Sequence, residues 1–311
     1  MIEINNLVKR YGDKKAVNGI SFTVEKGEVL GFLGPNGAGK STTMNIITGY
    51  LSSTSGSVKV NGHDILEEPE EAKRCIGYLP ELPPLYLDMT VLEYLNFVCD
   101  LKGVKKDIRK KQLAKILSMV KIVDVADRLI GNLSKGYKQR VGIAQALVGD
   151  PEILILDEPT VGLDPNQILE IRKLIRNLAK DHTVILSSHI LSEIQAVCDR
   201  VVIINKGKLA AVSSITDLSS KLSGNSKLLL SFKGNVKDVK NAIQSLPGVT
   251  DVNVRVSDTD IHEVDITIDP SKGSDLRTSI FYTMAKGNWP ILEFRSLDPT
   301  LEEVFLSITS A

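Results

Sequence analysis

The stretch Gly34-Pro35-Asn36-Gly37-Ala38-Gly39-Lys40-Ser41 decides the fold, because it fits the phosphate-binding pattern G-x-x-x-x-G-K-[ST]. It follows the apolar run 29–33, which predicts a strand, and it precedes a predicted helix that starts near Gly39. Glycine lets the backbone curl here, so that several N–H groups point at phosphate oxygens. The N-terminus of the helix adds its partial positive charge. The stretch therefore predicts a nucleotide phosphate site, with Lys40 on the terminal phosphates and Ser41 on Mg²⁺.

A second motif is the apolar run 153–156, which ends in the acid pair Asp157 and Glu158. A continuous apolar run of this length predicts a strand that is buried on both faces. At its carboxyl end we expect Asp157 to hold Mg²⁺, directly or through water. We expect Glu158 to take a proton from an attacking water. The alternative is an acid pair that caps the next helix or is solvated, and the phosphate-binding pattern favours the catalytic interpretation.

The composition is that of an ordinary globular protein. The 311 residues are 42% hydrophobic and 24% charged, and the formal net charge is zero. This balance argues against a broad basic surface for nucleic acid and against a polybasic membrane anchor. Three cysteines far apart in sequence predict neither a disulfide framework nor a metal site. No apolar run reaches the roughly 18 residues that a membrane span needs, so we expect any membrane role to depend on a partner.

Strand and helix patterns alternate through the first two thirds of the chain, which predicts an α/β sheet core. We expect one domain over 1–215, with a β-rich N-terminal part and a helical insertion at about 85–150. A linker is predicted over 216–226. The order β-α-β-β-α-β then predicts a small ferredoxin-like α+β domain over 227–311 that ends in a short helix at 301–307.

Six motifs along residues 1–215 resemble those of the ATP-binding cassette (ABC) family and occur in the family's order. The resemblance assigns Gly34–Ser41 to Walker A, Asp157 and Glu158 to Walker B with its catalytic glutamate, and His189 to the switch histidine. The other three motifs are the adenine-stacking aromatic, the signature loop and the D-loop, which it places at Tyr11, at Ser134 with Gly136, and at Gly162-Leu163-Asp164.

The resemblance implies a P-loop NTPase fold and a Mg²⁺-dependent ATPase that works as a dimer. In this family ATP on Walker A of one copy is closed over by the signature loop of the other, and a separate membrane permease is driven. The ending of the chain is similar to that of bacterial exporter subunits, which implies a cytoplasmic, peripheral membrane location. The implied catalytic residues are Glu158 and His189, the metal ligands are Ser41, Glu81 and Asp157, and the nucleotide contacts are Tyr11, Gly34, Pro35, Asn36, Gly37, Ala38, Gly39, Lys40, Ser41, Thr42, Ser134, Gly136 and Asp164.

Three positions depart from the family pattern. In the signature loop Lys135 replaces a glycine and Tyr137 replaces a glutamine, while Ser134 and Gly136 remain. Glu81 stands where a glutamine is usual, although exporter subunits often carry glutamate there. We therefore expect an active enzyme whose rate these three side chains modify.

Two other functions fit parts of the sequence. A soluble ABC ATPase that acts on ribosomes or chromosomes usually has two cassettes in one chain or long coiled coils, and this chain has neither. Residues 227–295 also fit a regulatory ligand-binding module, which is compatible with a transport ATPase.

Overall fold

The computed structural model describes residues 1–220, 226–255, 261–269 and 276–297. The chain forms two compact units, Met1–Ile215 and Thr216–Ala311. Within the described residues, no helix is both long enough and apolar enough to cross a lipid bilayer.

The first unit alternates strands and helices. In chain order its elements are β1 (Ile2–Tyr11), β2 (Lys14–Val24), β3 (Val29–Leu33), α1 (Lys40–Ile47), β4 (Ser55–Val60), β5 (His63–Asp64), α2 (Pro69–Arg74), β6 (Ile76–Leu79), α3 (Val91–Leu101), α4 (Lys106–Met119), α5 (Lys135–Leu147), β7 (Ile153–Asp157), α6 (Pro165–Leu178), β8 (Thr183–Ser188), α7 (Leu191–Val197), β9 (Arg200–Asn205) and β10 (Lys208–Ser214).

A central six-stranded sheet has the order β10-β9-β3-β8-β7-β6. Its strands are parallel except β10, which pairs antiparallel with β9. Every residue of β3, β7 and β8 is buried, as expected for parallel strands that are covered on both faces. The loops that follow β3, β7 and β8 therefore meet at one edge of the sheet, because neighbouring parallel strands end at the same edge.

A second, antiparallel sheet has the order β2-β1-β4-β5. Its alternating apolar residues, among them Ile2, Ile4 and Val60, pack in one core cluster with Phe32, Ile155 and others from the central sheet. Helix α1 joins this cluster through Met44, Ile46 and Ile47. The phosphate-binding loop is thus attached to a continuous apolar core.

Helices α3, α4 and α5 form the insertion between β6 and β7, together with two 3₁₀ turns, Val123–Val125 and Ile130–Asn132. Local sequence explains where the helices begin. Thr90 and Glu93 form a capping box at the start of α3. Ser134 caps α5, and Asp164 with Pro165 starts α6.

Helix α8 (Ile215–Ser220) occupies the first part of the segment that the sequence predicts as a linker, 216–226, and residues 221–225 lie outside the described residues. A composition rich in polar residues and glycine predicts a connection between units, and a short helix can form part of one.

The second unit contains β11 (Ser226–Phe232), α9 (Val236–Gln244), β12 (Val249–Arg255), β13 (His262–Ile268), α10 (Leu276–Lys286) and β14 (Ile291–Ser296). Its sheet has the antiparallel order β12-β13-β11-β14. Leu230, Phe232 and Ile266 pack against Ile243 of α9 and Ile280 of α10. The C-terminal helix predicted at 301–307 lies outside the described residues.

Candidate functional site

The loop between β3 and α1 requires glycine at two positions. Gly39, which precedes α1, has φ 109°, a left-handed backbone conformation that residues other than glycine rarely adopt. A Cβ atom added to Gly39 would lie 2.5 Å from the carbonyl oxygen of Ala16, and one added to Gly34 would lie 2.4 Å from that of Ile204. The loop is therefore packed tightly against its neighbours, and its backbone conformation is set by those contacts.

This loop forms the floor of a cleft of 570 Å³. The cleft includes residues predicted to bind nucleotide, metal or water, and three that the sequence did not indicate, namely Lys14, Ala16 and Val161. The predicted residues that line it are Tyr11, Asn36, Gly37, Gly39, Lys40, Ser41, Thr42, Glu81, Glu158 and His189.

A buried group of charges lies at the end of the cleft. The Lys40 ammonium lies 3.4 Å from Glu158 Oε1 and donates a hydrogen bond of 2.9 Å to the carbonyl oxygen of Gly34. Both side chains of the ion pair are only 6% exposed. His189 Nδ1 lies 3.0 Å from each carboxylate oxygen of Glu158, and the imidazole is 38% exposed. The carboxylate is thus held between a lysine and a histidine that reaches the cleft.

Ser187 at the end of β8 orders the acid pair, a role that the sequence did not reveal. Its hydroxyl donates to Asp157 and accepts the Glu158 N–H at 3.0 Å. Glu158 has φ 49°, an uncommon conformation for a residue with a side chain. The serine bond helps hold the backbone in this turn, which directs the Glu158 carboxylate to the cleft and away from the strand. The only signal for Ser187 in the sequence is that this polar residue directly follows the apolar run 184–186.

The three predicted metal ligands, Ser41, Glu81 and Asp157, line one further cavity of 580 Å³ beside the cleft. Their donor atoms are one hydroxyl and two carboxylates, the hard oxygen ligands that Mg²⁺ prefers. Tyr78 lines the same cavity, and burial, followed by the charges of Asp157 and Glu81, raises the pKa of its hydroxyl. These donor atoms therefore fit Mg²⁺, whose positive charge would balance the two carboxylates.

Three predicted nucleotide contacts, Ser134, Gly136 and Asp164, do not line the cleft. Ser134 and Asp164 are exposed and accept hydrogen bonds from the first turns of α5 and α6, at 3.4 and 2.9 Å. A Cβ on Gly136 would lie 2.7 Å from the Gln167 side chain, so the starts of α5 and α6 are neighbours. Gly34, Pro35 and Ala38 also lie outside the cleft lining and shape the loop from behind.

The two unusual residues of the segment 134–137 point away from the cleft of their own chain. The Lys135 side chain lies over Gly162, where an added Cβ would be 2.0 Å from the ammonium nitrogen. Tyr137 donates a hydrogen bond of 3.0 Å to Asp124, which raises the pKa of the tyrosine hydroxyl.

Tyr11 stands at the outer rim of the cleft with 49% of its surface exposed. The Lys9 ammonium lies 5.4 Å from the centre of its ring, a cation–π distance. An aromatic face at a cleft rim can stack on any nucleobase, so this position is compatible with the predicted base contact.

Comparison with known proteins places this geometry in a family. The family model described as "ABC transporter" matches residues 17–161. The chain is 38% identical over 314 residues to the linearmycin resistance ATP-binding protein LnrL of Bacillus subtilis strain 168, and the match covers 99% of this chain and 98% of that protein. It is 42% identical over 211 residues to the bacitracin transport ATP-binding protein BcrA of Bacillus licheniformis, covering 67% of this chain and 68% of that protein.

Solved structures agree. The ATP-binding subunit of an ABC transporter superposes with a TM-score of 0.66 at 30% identity, covering 72% of this chain and 93% of that structure. The dimeric structure of MJ0796, a bacterial ABC transporter cassette, gives 0.64 at 26% identity and covers 69% of this chain and 99% of that structure. The P-loop NTPase fold predicted for the first unit is confirmed.

Proposed function

The chain belongs to the ABC transporter family as an ATP-binding subunit that hydrolyses ATP, and we propose that it powers export through a separate membrane permease. The names of its relatives support export, because they include proteins of linearmycin resistance, bacitracin transport and Nod factor export. None of these compounds is assigned to this chain. We further propose that it works at the cytoplasmic face of the membrane, held there by the permease.

We assign roles to the cleft residues from their positions. Lys40 and the N-terminus of α1 hold the terminal phosphates. Glu158 accepts the proton of the attacking water, and His189, 3.0 Å from that carboxylate, orients it and contacts the transferred phosphate. Mg²⁺, bound by Ser41, Glu81 and Asp157, would offset the negative charge of the phosphates.

We propose that a second copy completes each site. Ser134 and Asp164 are exposed at the starts of two helices, and the positive ends of those helices point to solvent. A nucleotide in the cleft of one copy supplies the negative charge that these ends attract. Hydrolysis removes that charge, so closure and opening of the dimer follow the state of the nucleotide.

The permease would dock beside the metal ligands. The cavity that holds Ser41, Glu81 and Asp157 is also lined by Pro80, Leu82 and Pro84, and Leu82 is 85% exposed. Movement of a docked helix there would reach the phosphate site through Glu81. We assign ATP hydrolysis to residues 1–215 and treat 227–311 as an accessory domain.

The observation that carries the proposal is the buried Lys40–Glu158 ion pair at the end of the cleft, with the half-buried His189 beside it. The test is Glu158→Gln, which keeps the shape of the side chain and removes the base. We expect ATP binding to persist, turnover to fall by about a hundredfold or more, and an ATP-dependent dimer to accumulate in size-exclusion chromatography.

Glu152→Gln is the matched control, because Glu152 is an exposed glutamate whose carboxylate lies 3.9 Å from the ammonium of Lys26, outside the cleft. It should leave turnover unchanged. Turnover retained in Glu158→Gln would refute the assignment of the base, and a protein that stays monomeric with ATP would refute the dimer. If the chain is recovered with ribosomes and not with a multi-span membrane protein, the result would favour the soluble alternative.

A further inference from the structure

One segment of the first unit concentrates positive charge that the whole chain does not show. Residues 102–121 contain one acidic residue, Asp107, against eight basic ones, so the net charge of the segment is +7. The net charge of the full chain is zero. The basic residues are Lys102, Lys105, Lys106, Arg109, Lys110, Lys111, Lys115 and Lys121.

Helix α4 buries three apolar residues and leaves its lysines exposed. Leu113, Ile116 and Leu117 are buried against the rest of the insertion. Five lysines are exposed, one directly before the helix and four on it. We call them the basic surface: Lys105, Lys106, Lys110, Lys111 and Lys115.

These charges are not neutralised by the protein. Arg109 pairs with Asp100 at 2.7 Å. Among the residues that the structure describes, none of the five lysines has a carboxylate within ion-pair distance. Five like charges within eleven residues repel one another, which destabilises the helix unless an external anion is present.

Apolar side chains accompany the basic surface. Leu101, at the end of α3, is 70% exposed, and Ile108 on α4 is 51% exposed. The turn between these helices also borders a cleft of 550 Å³, whose cations are Lys73, Arg74 and Lys102 against the single acid Glu70. Lysines beside exposed leucine and isoleucine match a bilayer interface, which offers anionic headgroups and apolar chains together.

We propose that the basic surface binds the anionic lipid headgroups of the membrane in which the permease lies. The proposal rests on the proposed function only in assuming that the subunit works at a membrane. Such contacts would hold the insertion near the bilayer while the cleft stays free for nucleotide. Each lysine near an anionic leaflet contributes about fivefold to partitioning, and salt screens the effect within about 10 Å at 0.1 M.

The experiment is co-sedimentation of the full chain, without any permease, with vesicles of phosphatidylcholine alone or with about 30% phosphatidylglycerol. We expect binding only to the anionic vesicles, and loss of binding in 0.5 M salt. Changing all five lysines of the basic surface to glutamine should weaken the partitioning by about three orders of magnitude, the product of five fivefold factors, because glutamine keeps helix propensity and removes charge.

The matched control changes five exposed lysines elsewhere to glutamine, so that both variants lose the same net charge: Lys59, Lys180, Lys233, Lys237 and Lys286. It should weaken partitioning less than threefold. ATP hydrolysis at the wild-type rate in both variants verifies folding and tests the catalytic assignment separately. Equal binding to neutral vesicles, equal loss in both variants, or salt-sensitive retention on duplex DNA without vesicle binding would each overturn the proposal.

Discussion

The phosphate side of the cleft is buried and paired within the chain, whereas the starts of α5 and α6 are exposed. On the phosphate side, Lys40 and Glu158 are buried and paired, and the loop glycines touch neighbouring backbone. At the helix starts, Ser134 and Asp164 are exposed, and each accepts a hydrogen bond from the first turn of its own helix.

The difference indicates which part of a binding site one chain completes alone. A buried ion pair is stable only where geometry and hydrogen bonds compensate for lost hydration, so the phosphate side needs its surroundings in place before ligand arrives. A capped helix start needs no such protection, because water solvates it. Substitutions in one region should therefore leave the properties of the other unchanged.

The largest effect is expected on the phosphate side, from Lys40→Met. Removing the ammonium eliminates a charged contact to phosphate and leaves the Glu158 carboxylate buried without its lysine. Charged hydrogen bonds of this kind contribute about 1.5–3 kcal/mol, so ATP affinity measured by calorimetry should fall about tenfold to a hundredfold. Lys59→Met, at an exposed lysine of β4, should leave the affinity unchanged. Equal affinity of Lys40→Met and the wild type would contradict the phosphate-binding role.

A smaller effect is expected at the helix starts, from Ser134→Ala. The monomer should bind ATP with unchanged affinity, because Ser134 does not line the cleft of its own chain. In a Glu158→Gln background, dimer formation with ATP should weaken about tenfold, as one anion contact is lost. Sedimentation velocity over a concentration series provides the measurement.

Thr90→Ala is the matched control for Ser134→Ala, since Thr90 also caps a helix of the insertion. Either substitution removes a cap and costs about 1 kcal/mol of stability. Only Ser134→Ala should affect the dimer. If both variants dimerise alike, the start of α5 has no special role between copies.

The smallest effect concerns two tyrosines, one from each region. Burial raises the pKa of Tyr78, which lies beside the metal ligands. At the start of α5, the hydrogen bond from Tyr137 to Asp124 raises the pKa of Tyr137. In the unfolded chain both ionise near pH 10. The folded protein therefore holds more protons above pH 10, and its stability falls as pH rises further, by at most about 1.4 kcal/mol per pH unit for one group.

Denaturant unfolding between pH 8 and 11.5 distinguishes the two tyrosines. Tyr78→Phe should flatten the alkaline decline more than Tyr137→Phe, because Tyr137 is more open to solvent. Tyr94, whose pKa burial raises to about 12, remains in both variants and contributes equally. A steeper decline in Tyr78→Phe than in the wild type would contradict burial as the cause.

Local spacing explains why so much of the cleft could be predicted. The pattern at 34–41 and the acids at 157–158 are contiguous, and buried parallel strands place their ends together. These regularities also predicted the fold of the first unit, which the solved relatives confirm.

The features that could not be predicted depend on residues far apart in sequence or on backbone angles. Ser187 bonds to both acids from the next strand, and Lys40 meets Glu158 across the cleft. The positive φ of Glu158 has no sequence signature for a residue with a side chain. A net charge of zero concealed the basic surface of α4, because opposite charges elsewhere cancel it.

The pairing of Lys40 with Glu158 also joins two roles in one contact. A phosphate that draws the Lys40 ammonium towards itself would release the Glu158 carboxylate from its ion pair, so capture of the phosphate and release of the proton acceptor would be one movement.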